Sequence, residues 1–420
     1  MAYKVIVAHP GRQHSFRLAS ALKKNDMLFK YVTTVYDKDI SFLMKMVKKF
    51  LPQDDVKRAN SRRNSDLLDD DVVQFCEFSG LIEILLSRFD KSKKLYNWWQ
   101  SKTTNDFGKK VAKLAIKEKV DAVVMYDTNA GKCFEMLKKK APNILRIMDV
   151  SAANRVYMKK VYEEDMIRCP ELANQLKNER SFLWQEKRIK YFQQENDDTE
   201  YFIVPSKFVE KSLTECGVKK EKIIVCPYGS NFDISNTQHV YSKKLPIKAT
   251  YVGNVTAMKG VYYLLEAIKE LSPNDMKLSL VGTYDTNNEV WNKYKNTANF
   301  VGRVLHEDVK KILQESDIFV FPSLGEGLSL SVLEALASGL PCIVTENSGA
   351  NDAISNYENG FVVPVGDKNA LKEKMQWFVD NKDKIEGMGK KAQEVAKKYT
   401  WKNYERNIQK EIINIIESTI

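Results

Sequence analysis

Two glutamates separated by seven residues stand out in the stretch PSLGEGLSLSVLEALASGLP, residues 322–341. Glu326 lies in a glycine-flanked loop after the apolar run DIFVFPS, and Glu334 falls on a helix that the leucine spacing predicts. Gly339 and Pro341 end that helix. Carboxylates accept paired hydrogen bonds from hydroxyl groups, and free amides at a helix start attract an anion. A solvated or helix-capping role explains a bare pair at this spacing more simply.

The ligand that suits such a loop is extended, with hydroxyls at both ends and a phosphate between them. Glu326 would meet one hydroxyl-rich group, the amides after Gly327 a phosphate, and Glu334 a second diol. A nucleotide-sugar has this layout of sugar, diphosphate and ribose.

Short apolar runs alternate with helical patterns along the chain, which favours parallel sheets with crossover helices. A polar stretch, 231–246, reads as a linker between two such series, and the tail 381–420 is predicted to be helical. We therefore expect two Rossmann-like α/β domains that face each other across a cleft at the carboxyl ends of their strands. The predicted strands are 4–8, 121–127, 144–150, 200–206 and 222–229 in the first series and 248–254, 277–283, 299–304, 317–323 and 341–347 in the second.

Size and composition agree with a two-domain globular protein. The chain has 420 residues, 43% of them hydrophobic, and its formal net charge is +11. That charge suits nucleotide phosphates, nucleic acid or an anionic membrane surface, or simply keeps the surface soluble. Six cysteines without a CxxC pair indicate reduced thiols, and the sequence carries neither a signal peptide pattern nor an apolar run of about 18 residues. We expect a cytoplasmic protein.

The glutamate stretch resembles the E-x7-E signature of retaining glycosyltransferases of the family 4 type, which have the GT-B fold. The segments YVGNVTAMKGVYYLLEAI, LSLVGT, NFVGRV and SDIFVFPS follow in that family's order. The resemblance is specific over about residues 200–400 and rests on topology over 1–199. It implies an acceptor domain at 1–235, a nucleotide-sugar donor domain at 236–395, and a C-terminal helix at 396–420 that returns to the first domain.

The resemblance assigns the donor site residue by residue. Glu326 would touch the donor sugar hydroxyls, and Glu334 the ribose. Lys259 would hold the diphosphate, where a cation stabilises the charge that develops on the leaving group. The backbone amides of Gly327 and Leu328 would bind phosphate.

One position departs from the family pattern. Asn254 stands where the family has an arginine, so the side chain can donate a hydrogen bond but brings no charge. Arg303 or Arg12 would then supply the missing charge. The resemblance also places Gly302, Arg303 and Val304 at the nucleotide base, although a solvated Arg303 is as plausible.

The acceptor or phosphate loop is predicted to be HPGRQHS, which follows the first strand. It offers His9, Arg12 and His14, with Gly11 allowing a tight turn. Structural histidines are the alternative.

Two aspartates also end strands of the first series. Asp149 lies near the position where the family often has a histidine that contacts the donor sugar, and we expect a catalytic role for it. Asp127 is expected to take part in acceptor binding. Helix capping explains either aspartate equally well. Asp69 and Asp71 have DxD spacing but lie in the charged run DLLDDDVV, so a solvated turn is the better interpretation and no metal site is predicted.

The resemblance implies transfer with retention of anomeric configuration, without a metal or cofactor, through a front-face mechanism in which the leaving phosphate helps to deprotonate the acceptor. The partners expected are a nucleotide-sugar donor and a saccharide or lipid-linked acceptor, in a setting such as bacterial surface polysaccharide synthesis. The alternative is a catalytically weak nucleotide-sugar-binding partner subunit, suggested by Asn254. A dehydrogenase would need a G-x-G-x-x-G loop after a strand, which neither candidate loop provides.

Two segments suggest a membrane surface. Residues 42–63 mix apolar and basic residues, and residues 91–102 place Trp98 and Trp99 among lysines. Both patterns fit peripheral binding to anionic lipid on the inner face of the membrane, or a core tryptophan pair beside a solvated basic face. No nucleic-acid-binding pattern accompanies them.

Overall fold

The chain folds into two α/β domains. The computed structural model describes residues 3–11, 14–38, 62–179, 186–232, 239, 241 and 244–419, with the backbone alone at 187. Within these ranges the first domain has a seven-stranded sheet in the order β3-β2-β1-β4-β5-β6-β7, and the second a six-stranded sheet in the order β10-β9-β8-β11-β12-β13. The paired strands of both sheets are parallel. The predicted fold class is confirmed.

The strands of the first domain are β1 (Val5–Ala8), β2 (Leu28–Thr33), β3 (Val72–Gln74), β4 (Ala122–Tyr126), β5 (Leu145–Asp149), β6 (Tyr201–Val204) and β7 (Ile223–Val225). Those of the second are β8 (Ile247–Val252), β9 (Met276–Val281), β10 (Asn299–Gly302), β11 (Ile318–Phe321), β12 (Cys342–Thr345) and β13 (Gly360–Val363).

Helices of the first domain are α1 (Ser15–Lys23), α2 (Glu77–Phe89), α3 (Lys94–Glu118), α4 (Gly131–Lys140), α5 (Arg155–Arg168), α6 (Ala173–Lys177), α7 (Glu186–Asp197) and α8 (Lys207–Thr214). The remaining helices are α9 (Val261–Lys269), α10 (Glu289–Asn292), α11 (His306–Gln314), α12 (Leu330–Ala337), α13 (Lys368–Asp380), α14 (Ile385–Ala396) and α15 (Trp401–Thr419).

The central strands read as continuous apolar runs because helices cover both faces of each sheet. Every residue of β1, β4, β11 and β12 is buried. Their carboxyl ends therefore open onto loops at one edge of each sheet, and these loops carry the candidate site residues.

The last helix, α15, belongs to the core of the first domain. Its buried residues recur at helical spacing and join the apolar cluster that contains Leu18 and Leu22 of α1; they are Tyr404, Ile408, Ile412, Ile415 and Ile416. The chain thus crosses back from the second domain to the first.

The two crossings between the domains touch each other. Ser230 donates its amide hydrogen to the Tyr399 carbonyl at 2.8 Å. A Cβ on Gly229 would lie 2.0 Å from the backbone nitrogen of Trp401 and 2.3 Å from the carbonyl carbon of Thr400. Only a glycine permits this approach, so the contact between the two crossings depends on Gly229.

Several elements differ from the sequence-based expectation. The prediction omitted β2 and β3, a strand of mixed polarity and a strand of three residues that occupy one edge of the first sheet. The first strand begins at Val5 and not at Lys4. Most of the predicted linker 231–246, and residues 42–61 of the first basic-apolar segment, lie outside the described residues.

We predict that Gly229→Ala lowers the free energy of unfolding by about 1–3 kcal/mol, because the new methyl group forces backbone at the crossing apart. Chemical denaturation measures the change. The matched control is Gly387→Ala, since no described residue outside its own helix lies within 4 Å of a Cβ at that helical glycine. The control should be neutral or gain up to about 1 kcal/mol from helix propensity. Equal stabilities of the two variants would contradict the role given to Gly229.

Candidate active site between the domains

Glu326 is held in place by a cation and a hydroxyl. It lies in the loop 324–327, here called the LGEG loop, which follows β11. Its Oε1 pairs with Lys259 Nζ and accepts a hydrogen bond from Ser323 Oγ at 2.8 Å. Among the described residues no donor reaches the other carboxylate oxygen, Oε2. One oxygen therefore fixes the carboxylate while the other can accept from a ligand hydroxyl.

The backbone of β12 and its loop supports the LGEG loop. The amide of Glu326 donates to the Asn347 carbonyl at 2.9 Å, and Asn347 Nδ2 donates to the Leu324 carbonyl at 3.0 Å. Thr345 Oγ1 donates to the Ser323 carbonyl at 2.6 Å. The position of Glu326 is thus set by neighbouring strand ends of one sheet.

Glu334 lies on α12 and is bonded to a histidine that the sequence analysis did not identify. His306 Nε2, at the start of α11, lies 3.0 Å from Glu334 Oε1. Burial raises the pKa of Glu334, and the hydrogen bond from His306 opposes that shift. The His306 side chain is 59% exposed, so a ligand can reach the pair from solvent.

Glycines lie at the carboxyl ends of β8, β9 and β10. We call these three residues, Gly253, Gly282 and Gly302, the glycine floor. Gly253 donates to the Val281 carbonyl and Gly282 to the Gly302 carbonyl, both at 2.9 Å. A Cβ at Gly282 would lie 2.0 Å from the Gly253 carbonyl oxygen. The sequence signal for this floor is the repeated Val-Gly that ends the three strands, as YVG, LVG and FVG.

Asn254 and Arg303 lie beside that floor. Asn254 Oδ1 accepts a hydrogen bond from Thr283 Oγ1 at 2.6 Å, and its side chain is exposed. Arg303 is exposed, Val304 is half-buried, and no described residue forms an ion pair with Arg303. Arg12 lies outside the described residues.

The glycines of the LGEG loop allow the first domain to approach closely. A Cβ at Gly327 would lie 1.8 Å from the carbonyl oxygen of Ser151, and one at Gly325 would lie 2.4 Å from Met158 Cε. Ser206 Oγ donates to the Gly327 carbonyl at 2.6 Å. Packing between the domains therefore explains these glycines. That the amides of Gly327 and the half-buried Leu328 meet a phosphate stays a prediction.

Across the cleft, His14 and Asp149 form a buried pair. His14 Nε2 lies 3.0 and 3.1 Å from the two carboxylate oxygens of Asp149 and 3.0 Å from the Tyr228 hydroxyl. Tyr228 also donates to Asp149 Oδ1 at 3.4 Å. Asp149 is 1% exposed. These contacts favour a role for Asp149 in orienting His14 over direct contact with a ligand, and sequence reasoning did not identify Tyr228.

His9 is buried in the same cluster, with its ring at 5.0 Å from that of Tyr126. Its Nδ1 accepts the Gly11 amide hydrogen at 2.9 Å, so the neutral ring carries its proton on Nε2. That Nε2 is buried and has no hydrogen-bond partner among the described residues. Burial lowers the pKa of His9 to about 4. The ring therefore stays neutral near pH 7 and presents an unused N–H donor.

The two aspartates at the strand ends do not cap the helices that follow them. Glu195 accepts the backbone amides of Ala130 and Gly131, both at 2.8 Å, at the start of α4. Asn154 caps α5 through the Val156 amide at 2.9 Å. Burial, together with the nearby Asp149 carboxylate, raises the pKa of Asp127, against the opposing charge of Arg155.

The DxD spacing at Asp69 and Asp71 falls in a short turn before β3. Asp71 pairs with Lys23 at 2.7 Å and accepts the Leu68 amide at 2.9 Å. The structure therefore gives Asp71 a structural role. Among the described residues, no group of three or more histidines, cysteines or carboxylates has the arrangement of a metal site.

Together these groups can bind an extended anionic ligand. The second domain offers a lysine, an open carboxylate oxygen, a glycine floor and a second carboxylate. The first domain offers a buried N–H donor and a His14–Asp149 pair at its strand ends.

Part of the chain is similar to known glycosyltransferases. Residues 236–395 match the family described as Glycosyl transferases group 1. The UDP-Gal:alpha-D-GlcNAc-diphosphoundecaprenol alpha-1,3-galactosyltransferase of Escherichia coli is 31% identical over 190 residues, 41% of this chain and 49% of that protein. The capsular polysaccharide biosynthesis glycosyltransferase CapM of Staphylococcus aureus is 27% identical over 213 residues, 46% of this chain and 55% of that protein. The aligned part spans about half the length of these relatives.

Solved structures match the whole chain in fold. Sucrose-phosphate synthase from Thermosynechococcus elongatus superposes with a TM-score of 0.68 at 16% identity, covering 99% of this chain and 100% of that one. Anabaena HepE in complex with UDP superposes with a TM-score of 0.61 at 13% identity, covering 98% of this chain and 100% of that one. The fold is GT-B, as the resemblance implied.

The buried His9 predicts a specific pH dependence of stability. Its pKa is about 4 in the folded state and about 6.5 in an unfolded chain, so stability is complete above pH 6.5 and falls as the pH drops toward 4. The loss reaches about 3 kcal/mol. We expect His9→Gln to remove this component, so that its free energy of unfolding falls less than that of the wild type between pH 6.5 and 4. Denaturant titrations measure both free energies of unfolding. If those of wild type and His9→Gln fell in parallel with pH, His9 would not carry the effect.

Proposed function

We propose that this protein is a retaining glycosyltransferase that moves a sugar from a nucleotide-diphosphate donor to a saccharide or lipid-linked acceptor in bacterial surface polysaccharide synthesis. The observation that carries the proposal is the set of contacts made by the Glu326 carboxylate. One carboxylate oxygen is fixed by Lys259 and Ser323, and the other is open, in a loop pressed between the two domains.

Lys259 is the group that meets the diphosphate. In the structure its charge is balanced by Glu326, and Nζ lies 5.8 Å from the centre of the Phe321 ring. A bound diphosphate offers a stronger partner, since charge-assisted bonds to phosphate oxygens are short and strong. As the sugar leaves, charge grows on the diphosphate, so Lys259 stabilises the transition state more than the ground state.

The two glutamates then bind different parts of the donor. The open oxygen of Glu326 accepts from the sugar hydroxyls, and Glu334 accepts from the ribose diol. His306 fixes one oxygen of Glu334, as Lys259 and Ser323 fix one of Glu326. We propose that the base lies against the glycine floor at Gly253, Gly282 and Gly302, where these residues present backbone and no side chain.

Transfer needs an acceptor hydroxyl on the same face of the sugar as the leaving group. The bond from C1 to the diphosphate oxygen breaks, a bond from C1 to the acceptor oxygen forms on that face, and the acceptor proton passes to the departing diphosphate. We propose that His9 and His14 orient the acceptor or the phosphate, and that Lys259 supplies the counter-charge without a metal. The partner-subunit alternative is not favoured, because the similar proteins are named as glycosyltransferases.

We predict that Glu326→Ala lowers kcat by about 100-fold or more, because it removes the anchor of the sugar and of Lys259. Glu334→Gln should mainly raise the donor KM, by about tenfold, since it weakens ground-state binding. The measurement is release of nucleoside diphosphate from UDP-, GDP- and ADP-sugars, with and without cell-envelope lipid.

Glu358→Ala is the matched control, because Glu358 is an exposed glutamate of the same domain. An active Glu326→Ala variant would contradict the proposal. So would a wild type that turns over none of these donors in the presence of acceptor lipid.

We also propose that the hairpin of α2 and α3 rests on an anionic membrane surface. It exposes large apolar side chains in a basic setting that includes Lys91 and Lys94: Phe78 (71% exposed), Leu85 (51%), Phe89 (77%), Leu95 (52%) and Trp98 (58%). Trp99 instead anchors α3 to α2 by donating to the Ser79 carbonyl at 2.9 Å. Apolar side chains among cations fit a peripheral contact with anionic lipid. No helix among the described residues is long and apolar enough to span a bilayer.

We predict that wild-type protein floats with vesicles of phosphatidylglycerol but not of phosphatidylcholine, and that added salt weakens the binding. Phe89→Glu should reduce flotation several-fold by placing a negative charge on this face. The control is Ile167→Glu, the same change at a residue of α5 that is 81% exposed. An equal loss in both variants, or equal binding to neutral vesicles, would contradict the proposed surface.

A further inference from the structure

A cavity of about 190 Å³ lies in the first domain beside the candidate active site. Met148, Val150 and Leu213 form its buried inner wall, and Ile189 and Phe192 of α7 form the facing wall. It opens at the carboxyl ends of β4 and β5. A cavity of about 150 Å³ lined by apolar side chains is enough to bind benzene, so this one has room for a short apolar segment.

Two polar groups in the lining are committed to the protein. The Glu195 carboxylate accepts three backbone amides, those of Thr128 at 2.9 Å and of Ala130 and Gly131 at 2.8 Å. Asn154 caps α5. A saccharide would need free hydrogen-bonding partners in a buried site, and a hydrocarbon would not. The wall formed by Met148, Val150 and Leu213 therefore suits an apolar ligand group.

Two cations mark one side of the cavity. Arg155 and Lys159 are one helical turn apart at the start of α5, and both line the cavity. Lys159 pairs with the exposed Glu163 at 3.7 Å, and Arg155 faces Asp127 electrostatically. The two side chains place positive charge at this side of the cavity, which favours an anionic ligand group there.

The cavity is continuous with the cleft. Ala152 and Ala153 line it, and the neighbouring Ser151 carbonyl is the group that packs against Gly327 of the LGEG loop. On the other side Asp127 lines the cavity and donates its amide to the Asp149 carbonyl at 3.1 Å. A ligand that fills the cavity can therefore reach the groups around Glu326 and His14.

We infer that the cavity binds the apolar chain of an amphiphilic acceptor, in which a hydrocarbon is joined through a phosphate to the saccharide that receives the sugar. The hydrocarbon next to the phosphate lies against Phe192 and Ile189, the phosphate lies near Arg155 and Lys159, and the saccharide extends toward the LGEG loop. The inference rests on the proposed function for the cleft as the place of transfer, and it selects a lipid-linked acceptor over a free saccharide.

Binding without a donor tests the cavity separately from transfer. Isothermal titration of the full chain would compare octyl phosphate and geranyl phosphate with methyl phosphate and with octyl glucoside, all below their micelle concentrations. We expect both long-chain phosphates to bind at least tenfold more tightly than methyl phosphate and than octyl glucoside. Tighter binding of the geranyl compound would indicate a prenyl chain, and tighter binding of the octyl compound an alkyl chain.

Variants locate the binding. Ile189→Glu should abolish the gain in affinity that a longer chain gives. Ile189→Trp should do the same by filling the cavity without adding a charge. Ile167→Glu, on the exposed side of α5, should bind as the wild type does. Arg155→Gln should reduce the preference for phosphate over glucoside. Near-equal thermal unfolding midpoints would show that the Ile189 variants are folded.

The outcomes separate this inference from the proposed function. Equal affinities for methyl and octyl phosphate, or chain-length dependence that survives both Ile189 variants, would overturn the inference. Transfer to methyl and octyl glycosides with equal KM would also overturn it and leave the transferase intact. Chain-dependent binding by a protein that turns over no nucleotide-sugar would overturn the proposed function and retain the cavity as a site for amphiphilic phosphates.

Discussion

The close approach of the LGEG loop to the first domain is the constraint on which the site depends. Gly327 lies against the Ser151 carbonyl and Gly325 against Met158, so a side chain at either position would push the domains apart. Ser206 closes the contact through the Gly327 carbonyl at 2.6 Å. Because Glu326 lies between these glycines, the residue that would hold the donor sugar is fixed at the boundary between the domains. A sugar bound there is presented to the strand ends of the first domain.

Three carboxylates of the site each have an internal hydrogen-bonding partner. Lys259 pairs with Glu326, His306 with Glu334, and His14 with Asp149. Buried or half-buried charges need such partners, since an uncompensated charge in a cleft costs several kcal/mol. In each pair, at least one group can exchange its partner or accept a further hydrogen bond. The site is thus stable when empty, and a ligand with phosphates and hydroxyls can replace internal partners with its own.

The sequence predicted the second domain better than the first, for physical reasons. Its strands are short, buried apolar runs with a glycine or a polar loop at each end, and these local signals place Glu326 in the loop after β11, Lys259 just before α9 and Glu334 on α12. Tyr228 and His306 escaped prediction because their roles come from contacts 214 and 28 residues away in sequence, to His14 and Glu334. The strands β2 and β3 escaped because β2 has mixed polarity and β3 has only three residues. No local pattern in PSLGEG shows that its glycines face another domain.

The two domains also differ in how far their features are shared with other proteins. The family match covers residues 236–395, the part that carries the Lys259–Glu326 pair and the glycine floor. The apolar cavity, the exposed hairpin and the His14–Asp149 pair all lie in the first domain, outside that match. A nucleotide-diphosphate presents the same charged groups whatever sugar it carries, so one arrangement of lysine and glutamates serves many donors. Acceptors differ in shape and polarity, and under the inference drawn above their recognition falls to first-domain residues such as Phe192 and Arg155.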